Sequence, residues 1–288
     1  MPELPEVEVV KRSLKNKVNY KKIKKIIISN RNLRFKIQKN FEKLLRNKII
    51  TNVSRFSKYI ILSLSNNTYC LIHLGMSGTL HQINYQKKNY ISNLSFYQSK
   101  TLPNKHNHIK IKFSNFMIIY NDPRRFGFFK IFYNNKELKK YFQKSGPEAI
   151  SSKFNFKYVR NKTLNKKKNI KNCLLDQTFV SGIGNIYASE ILFYCKINPL
   201  KIANKMSDNE INKLIKYSKL ILNLAIKYGG SSIKNFKNTK GISGRFQNKF
   251  KVYNRENRNC PSKNCSDKIG KIFISNRSSF FCKSCQKK

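Results

Sequence analysis

The first eight residues, Met1-Pro2-Glu3-Leu4-Pro5-Glu6-Val7-Glu8, gather three carboxylates in a chain that has only 13 acidic residues against 60 Lys and Arg. If Met1 is removed, Pro2 becomes the terminus and its nitrogen a secondary amine. An α-amino group titrates near pH ~8, below a lysine at ~10.4, so part of it is unprotonated at neutral pH. Such an amine can attack an electrophilic carbon and form an iminium, as Schiff-base lysines do. Glu3 and Glu6 would sit within reach of the attacked group as proton donor or acceptor. A plainer reading is that Pro2 and Pro5 stiffen a turn while Glu6 or Glu8 favours the first turn of a helix. On these residues alone the plainer reading is the commoner one, because chain ends are usually frayed and idle.

A second set of reactive side chains closes the sequence. Cys260-x4-Cys265 and Cys282-x2-Cys285 bring four of the seven cysteines into the last 29 residues. Four thiolates at this spacing suit a tetrahedral structural zinc site, with no open position left for catalysis. Disulfides are the alternative, which a reducing compartment disfavours. Cys70, Cys173 and Cys195 stand singly in apolar surroundings and read as buried thiols.

Four further stretches carry polar, wedge-like or glycine-flanked residues. Lys58 opens Lys58-Tyr59-Ile60-Ile61-Leu62, where its ammonium could lie over a phosphate. His73-Leu74-Gly75-Met76-Ser77-Gly78 puts Met76 at the tip of a glycine-flanked turn, and Asp122-Pro123-Arg124-Arg125-Phe126-Gly127 is a second turn with two guanidiniums and a ring. Met76 and Phe126 would ordinarily belong to the core. A turn tip buries little, however, and apolar wedges beside arginines are what proteins insert into a base stack. Gly182-Ile183-Gly184-Asn185, running into Ile186 to Glu190, fits a phosphate-binding helix N-terminus, although Gly-x-Gly alone is common.

The elements that must position these residues follow from periodicity. Val7, Val10, Leu14 and Val18 predict an amphipathic helix over 5–17, which would hold Pro2 in place. Short β-rich runs at 23–28, 59–64, 69–74, 109–113, 116–120 and 128–132 predict a two-sheet sandwich. A polar bridge over 134–152 contains Ser145-Gly146-Pro147-Glu148. Ser207-Asp208-Asn209-Glu210 is a capping box, and the helix it starts should stop at Gly229-Gly230. Residues 231–250 should form a mobile basic loop, and 271–275 with 278–282 a hairpin turning at Asn276-Arg277.

The formal charge of +47 and pI near 10.2 point to a polyanionic partner, although abundant Lys, Asn and Ile throughout indicate that part of the charge is compositional drift. No apolar run approaches the ~20 residues of a membrane span, and no signal-peptide core is present, so a soluble cytoplasmic protein with no membrane partner is expected. The length of 288 residues suits two domains.

In this order the motifs at 2–8, 73–78, 122–127 and 184–190, with the C-terminal cysteines, resemble the formamidopyrimidine-DNA glycosylases, from Pro2 to Lys287. The resemblance implies an α+β chain of two domains. An N-terminal catalytic β-sandwich with flanking helices would span 1–134 and a linker 135–152. A helix–two-turns–helix domain with a lesion-capping loop would span 153–250, and a β-hairpin zinc finger 251–288. Damaged double-stranded DNA would lie between the domains, bound by a monomer, with one structural Zn2+ on Cys260, Cys265, Cys282 and Cys285. Pro2 would attack the sugar of a flipped 8-oxoguanine or ring-opened purine, with β- and δ-elimination following. Glu3 would act as catalytic acid, Glu6 as its companion and Lys58 at the phosphodiester. Met76, Arg124 and Phe126 would fill the vacated stack, Arg124 facing the orphaned cytosine, with His73 and Arg125 in the same DNA-binding turns. Lys171, Asn185 and Arg277 would hold the DNA backbone or lesion strand.

The chain departs from that family's pattern at three places. Its first cysteine pair is spaced by four residues where two are usual, Asn172 replaces a proline after Lys171, and 231–250 retains few family residues. Three other readings compete: an endonuclease VIII-like glycosylase for oxidised pyrimidines, a DNA-binding relative without chemistry, and a zinc-finger RNA-binding protein. Leu4 and the Asp122 turn favour the purine enzyme over the first, and Pro2, Glu3 and Lys58 argue against a pure binder.

Overall fold

The computed structural model describes residues 1–86, the backbone of 91–93, residue 102, residues 104–231 and 246–287. Most of the expected basic loop at 231–250 therefore lies outside the described residues. The chain divides into two compact units, one of residues 1–143 with 228–247 and one of 144–227 with 248–288.

The first unit opens with α1 (Leu4–Val18), whose Val7, Val10, Leu14 and Val18 are all buried. Helical spacing puts these four on one face, which packs against β2 (Ile50–Phe56) and β3 (Tyr59–Leu64). With β4 (Tyr69–His73) and β9 (Phe128–Phe132), these strands form an antiparallel sheet of order β2-β3-β4-β9. The second sheet has the order β1-β7-β8-β5-β6, from β1 (Lys25–Ile28), β5 (Thr79–Asn84), β6 (Ile91–Asn93), β7 (Asn107–Lys112) and β8 (Phe116–Asn121). Ile60, Leu62, Ile72 and Phe129 of one sheet meet Leu80, Ile109, Ile118 and Tyr120 of the other in a single apolar cluster, the expected sandwich. A short α2 (Phe41–Leu45) covers β1.

The expected bridge beyond residue 134 is instead partly helical. α3 (Asn135–Phe142) is capped by Asn134, whose side chain accepts from the Glu137 amide, and it lies on β9. Leu138 and Phe142 join Phe56, Tyr59 and Phe132 in a second apolar cluster, so this helix belongs to the sandwich.

The second unit holds α4 (Phe156–Thr163), α5 (Ile170–Leu175), α6 (Asn185–Cys195) and α7 (Asp208–Lys227), followed by the hairpin β10 (Ile269–Ile274) and β11 (Arg277–Cys282). α6 is buried on nearly every side and packs against α5, α7 and β11. The capping box starts α7 as expected, with Glu210 N donating to Ser207 Oγ and Ser207 N to Glu210 Oε2. The hairpin turns at Ser275-Asn276, with φ values of 47° and 59°. Two positive φ values are what a tight two-residue hairpin turn needs, so the turn falls one residue earlier than expected and Arg277 is the first residue of β11.

Candidate functional site

Pro2, Glu3 and Glu6 are buried at the head of α1, and Lys58 is buried in the turn between β2 and β3. Glu6 turns back to the chain end, its Oε2 accepting from the Glu3 amide at 2.9 Å. Its Oε1 accepts from the amide of Ser231 at 2.8 Å and from the Ser231 hydroxyl at 3.0 Å, which ties α1 to the chain leaving α7. The N-terminal amine sits among these groups. Burial lowers its pKa from the ordinary value, the charges of Glu3 and Glu6 raise it, and those of Lys58 and Arg124 lower it further. An amine with a depressed pKa between two carboxylates and two cations suits nucleophilic attack and proton relay.

Arg124 belongs to a pair of turns fastened together by one carboxylate. Asp122 is fully buried, its Oδ1 accepting from Ser77 Oγ at 2.5 Å and its Oδ2 from Tyr120 Oη at 2.9 Å and the Gly127 amide at 2.8 Å. Gly75, at φ +64°, lies so close that a Cβ there would run into the backbone of Phe126 and Gly127. The tips of the two turns stay in solvent, with Met76 41% and Phe126 42% exposed and the Arg124 guanidinium 4.6 Å from the Phe126 ring centre. Arg125 takes a left-handed φ of 56° and is exposed. Asp122 was legible only as part of a turn. Its three acceptor bonds make it the knot that presents Met76, Arg124 and Phe126 together.

His73, expected among the DNA-binding residues, is buried at the end of β4. Its ring stacks on Phe128 at 5.3 Å and its Nδ1 accepts from the Gly75 amide at 3.1 Å, so it shapes the Met76 turn from beneath. Burial, with Lys58 and Arg34 nearby, lowers its pKa to about 4 against a weaker pull from Asp122, which leaves it neutral at physiological pH.

Lys171, Asn185 and Arg277 belong to the second unit, and the first two face inward. Lys171 is fully buried, its Nζ donating to Ser279 Oγ at 2.5 Å and to the Ser278 carbonyl at 3.2 Å. Asn185 Nδ2 donates to the same carbonyl at 2.9 Å. Asn172, where a proline was the usual pattern, donates from Nδ2 to Ser275 Oγ at 3.0 Å. The hairpin is therefore pinned by three side chains, two at the start of β11 and one at its turn, and Arg277 between them is exposed beside Lys166 and Lys168 on a cavity of 590 Å³.

The four cysteines come together at the hairpin's base, with all four Sγ atoms within 4.8 Å of one another. Cys260 and Cys285 are 3.7 Å apart at sulfur, as are Cys265 and Cys282, too far for disulfides. A tetrahedral ion with metal–sulfur bonds of ~2.3 Å would set its ligands about 3.8 Å apart, so the cluster has the dimensions to hold one metal ion. The longer first loop closes through Asp267, whose carbonyl accepts from the Cys260 amide and whose carboxylate accepts from the Ser284 amide and hydroxyl.

A β-sandwich headed by a helix whose leading residues Pro2 and Glu3 are buried, and a helical unit docked to a four-cysteine hairpin, define a two-part protein whose basic and wedge-like side chains suit nucleic acid. The formamidopyrimidine-DNA glycosylase N-terminal domain model matches residues 1–129, and that family's H2TH domain model matches 145–237. The chain is 39% identical to the formamidopyrimidine-DNA glycosylase of Wolbachia pipientis wMel, covering 99% of this chain and 100% of the relative. It is 40% identical to that of Rickettsia bellii strain OSU 85-389, over 100% of both. Among solved structures, a Lactococcus lactis FPG mutant in complex with Fapy-dG containing DNA matches at a TM-score of 0.88 and 32% identity, over 100% of both chains. L. lactis Fpg with abasic-site containing DNA matches at 0.86 and 32%, covering 99% of this chain and 100% of that one. The chain belongs to the formamidopyrimidine-DNA glycosylase family and is a DNA glycosylase of base-excision repair.

Proposed function

We propose that this protein removes oxidised purines, 8-oxoguanine and formamidopyrimidines, from duplex DNA and cuts the resulting abasic strand by β,δ-elimination, with Pro2 as nucleophile. The observation that carries the reading is the chain end at the head of α1, where Pro2, Glu3, Glu6 and Lys58 are buried and the N-terminal amine has a lowered pKa among Glu3, Glu6, Lys58 and Arg124. Loss of Met1 would leave the secondary amine of Pro2 at the head of α1, within the same side chains. Its lone pair forms a bond to C1′ of the damaged nucleoside as the C1′–N bond breaks, and the departing base takes a proton from Glu3. The Glu3 carboxylate, having given its proton to the base, takes the Pro2 N–H proton and passes it to O4′ as the C1′–O4′ bond breaks, which opens the sugar to a cationic iminium on Pro2 that Glu3 and Glu6 stabilise. Abstraction of a C2′ proton then expels the 3′ phosphate, and a second elimination expels the 5′ phosphate, with the Lys58 ammonium assisting at the phosphodiester. Met76, Arg124 and Phe126 fill the gap left by the extruded base, as flipping requires.

Cys260, Cys265, Cys282 and Cys285 would hold one structural zinc ion, whose role is to stiffen the hairpin carrying Arg277. Lys171 and Asn185 act on DNA through that hairpin, and Arg277 meets the backbone itself. The protein works as a monomer in the cytoplasm, on the nucleoid.

Borohydride trapping with duplex DNA carrying 8-oxoguanine opposite cytosine, then mass spectrometry of the N-terminal peptide, tests the nucleophile. An adduct on Pro2 is expected, and Pro2→Gly should slow trapping far more than it weakens duplex binding. Equal losses in both would remove Pro2 from that role.

A further inference from the structure

We propose that Arg55, held by Glu8, is a positioning residue that sets Lys58 against the helix bearing Pro2 and Glu3; this rests on the role given to Lys58 above. Lys58 does not open a strand. Phe56 pairs with Tyr59, so Ser57 and Lys58 are the two residues of a tight hairpin turn. Ser57 stands at φ 54° and is buried. A two-residue turn with positive φ at its first position favours glycine there, and a serine tends to relax out of that conformation. Any such relaxation would swing Lys58, the next residue along.

Arg55 opposes it. Its Nη1 donates to the Ser57 carbonyl at 2.9 Å, and its Nε donates to Glu8 Oε2 at 2.8 Å. Glu8 lies on α1, just over one turn beyond Glu3, and its other oxygen accepts from Arg12 and Lys11, each at 2.8 Å. The Arg55 side chain is 6% exposed, so water competes little for either bond. One rigid guanidinium thus spans the turn that carries Lys58 and the helix that carries the chain end. Lysine, with a single ammonium on a flexible stem, cannot make both bonds in that geometry.

The test uses duplex DNA with a preformed abasic site, so that base release does not enter, under single-turnover conditions. Arg55→Lys, the Arg55→Lys/Ser57→Gly double variant and Lys58→Ala are compared with the unaltered protein. Arg55→Lys should slow strand cleavage roughly 10- to 100-fold, the scale of a small misplacement of a reacting group, with duplex affinity kept within about twofold. Ser57→Gly should recover most of that loss, because glycine holds the turn unaided, a recovery that loss of general packing would not show. A slow Lys58→Ala beside a wild-type rate for Arg55→Lys overturns the positioning role and leaves Lys58 in place. A slow Arg55→Lys that Ser57→Gly does not improve overturns it as well, since the loss would not run through the turn. A wild-type rate for Lys58→Ala removes the role of Lys58, and this inference with it.

Discussion

The side chains beneath the working residues decide how the first unit responds to acid. His73 and His81 are both buried, and burial carries each pKa from 6.5 to about 4. Between those values the unfolded chain takes up protons that the folded chain refuses, so stability rises with pH. Their contribution is complete above pH ~6.5 and is lost as the pH falls toward ~4, at no more than about 3 kcal/mol per residue. The melting temperature should therefore drop between pH 7.5 and pH 5. His81 is the cleaner residue to test, because its Nε2 bonds only as far as Thr79 Oγ1, at 2.8 Å, and it lies under no proposed DNA contact. His81→Gln should flatten the pH slope. Parallel curves for variant and parent would show that the slope arises elsewhere. The burial of His73 was not legible in the sequence, which places it only at the end of a strand before a glycine-flanked turn. Nothing local announces the Phe128 ring stacked over it from another strand.

The strands and helices were legible wherever apolar periodicity set them, and were missed where buried polar residues or chain edges did. β3 and β9 were read to the residue, being runs of Ile, Leu and Phe. β5 escaped because Thr79, His81 and Gln82 are buried there in place of aliphatic residues, partly satisfied by Thr79 Oγ1 and Asn84 Oδ1. β2 escaped as a polar edge strand of its sheet, and α3 as a charged helix burying little besides Leu138. Lys171 shows what this costs at the level of elements. The family resemblance implies a DNA contact for it, and its packing adds a place under the hairpin, its ammonium on the Ser278 carbonyl and Ser279 hydroxyl. Lys171→Met keeps the stem's volume but leaves those acceptors short of a donor, at about 1–3 kcal/mol for an unmet buried group. The second unit should melt earlier, and DNA affinity should fall by about as much as in Arg277→Ala. If affinity falls in Arg277→Ala but not in Lys171→Met, the lysine is not what holds the hairpin in place.

At the scale of the whole molecule the open question is how much of the +47 charge works. Each phosphate neutralised releases condensed counterions, so the salt dependence of binding counts engaged contacts regardless of how many cations the surface carries. The proposed phosphate contacts, from Lys58, Arg125 and Arg277 with one or two more lysines, number about four or five, which predicts a log–log slope near −4 on duplex DNA. Affinity should then fall about 250-fold between 50 and 200 mM salt. A slope near −10 would mean that lysines scattered over the whole surface bind DNA alongside the site residues. The sequence favours the shallower value, because runs such as Lys166-Lys167-Lys168 recur amid an excess of Lys, Asn and Ile that is not confined to any one motif. Surplus cations that do not engage phosphate still raise the local concentration of DNA at low ionic strength. Association rates should therefore fall with salt and carry part of the equilibrium slope. Stopped-flow measurements across the same salt range divide that slope between association and dissociation, and an association rate independent of salt would assign the excess charge no part in finding DNA.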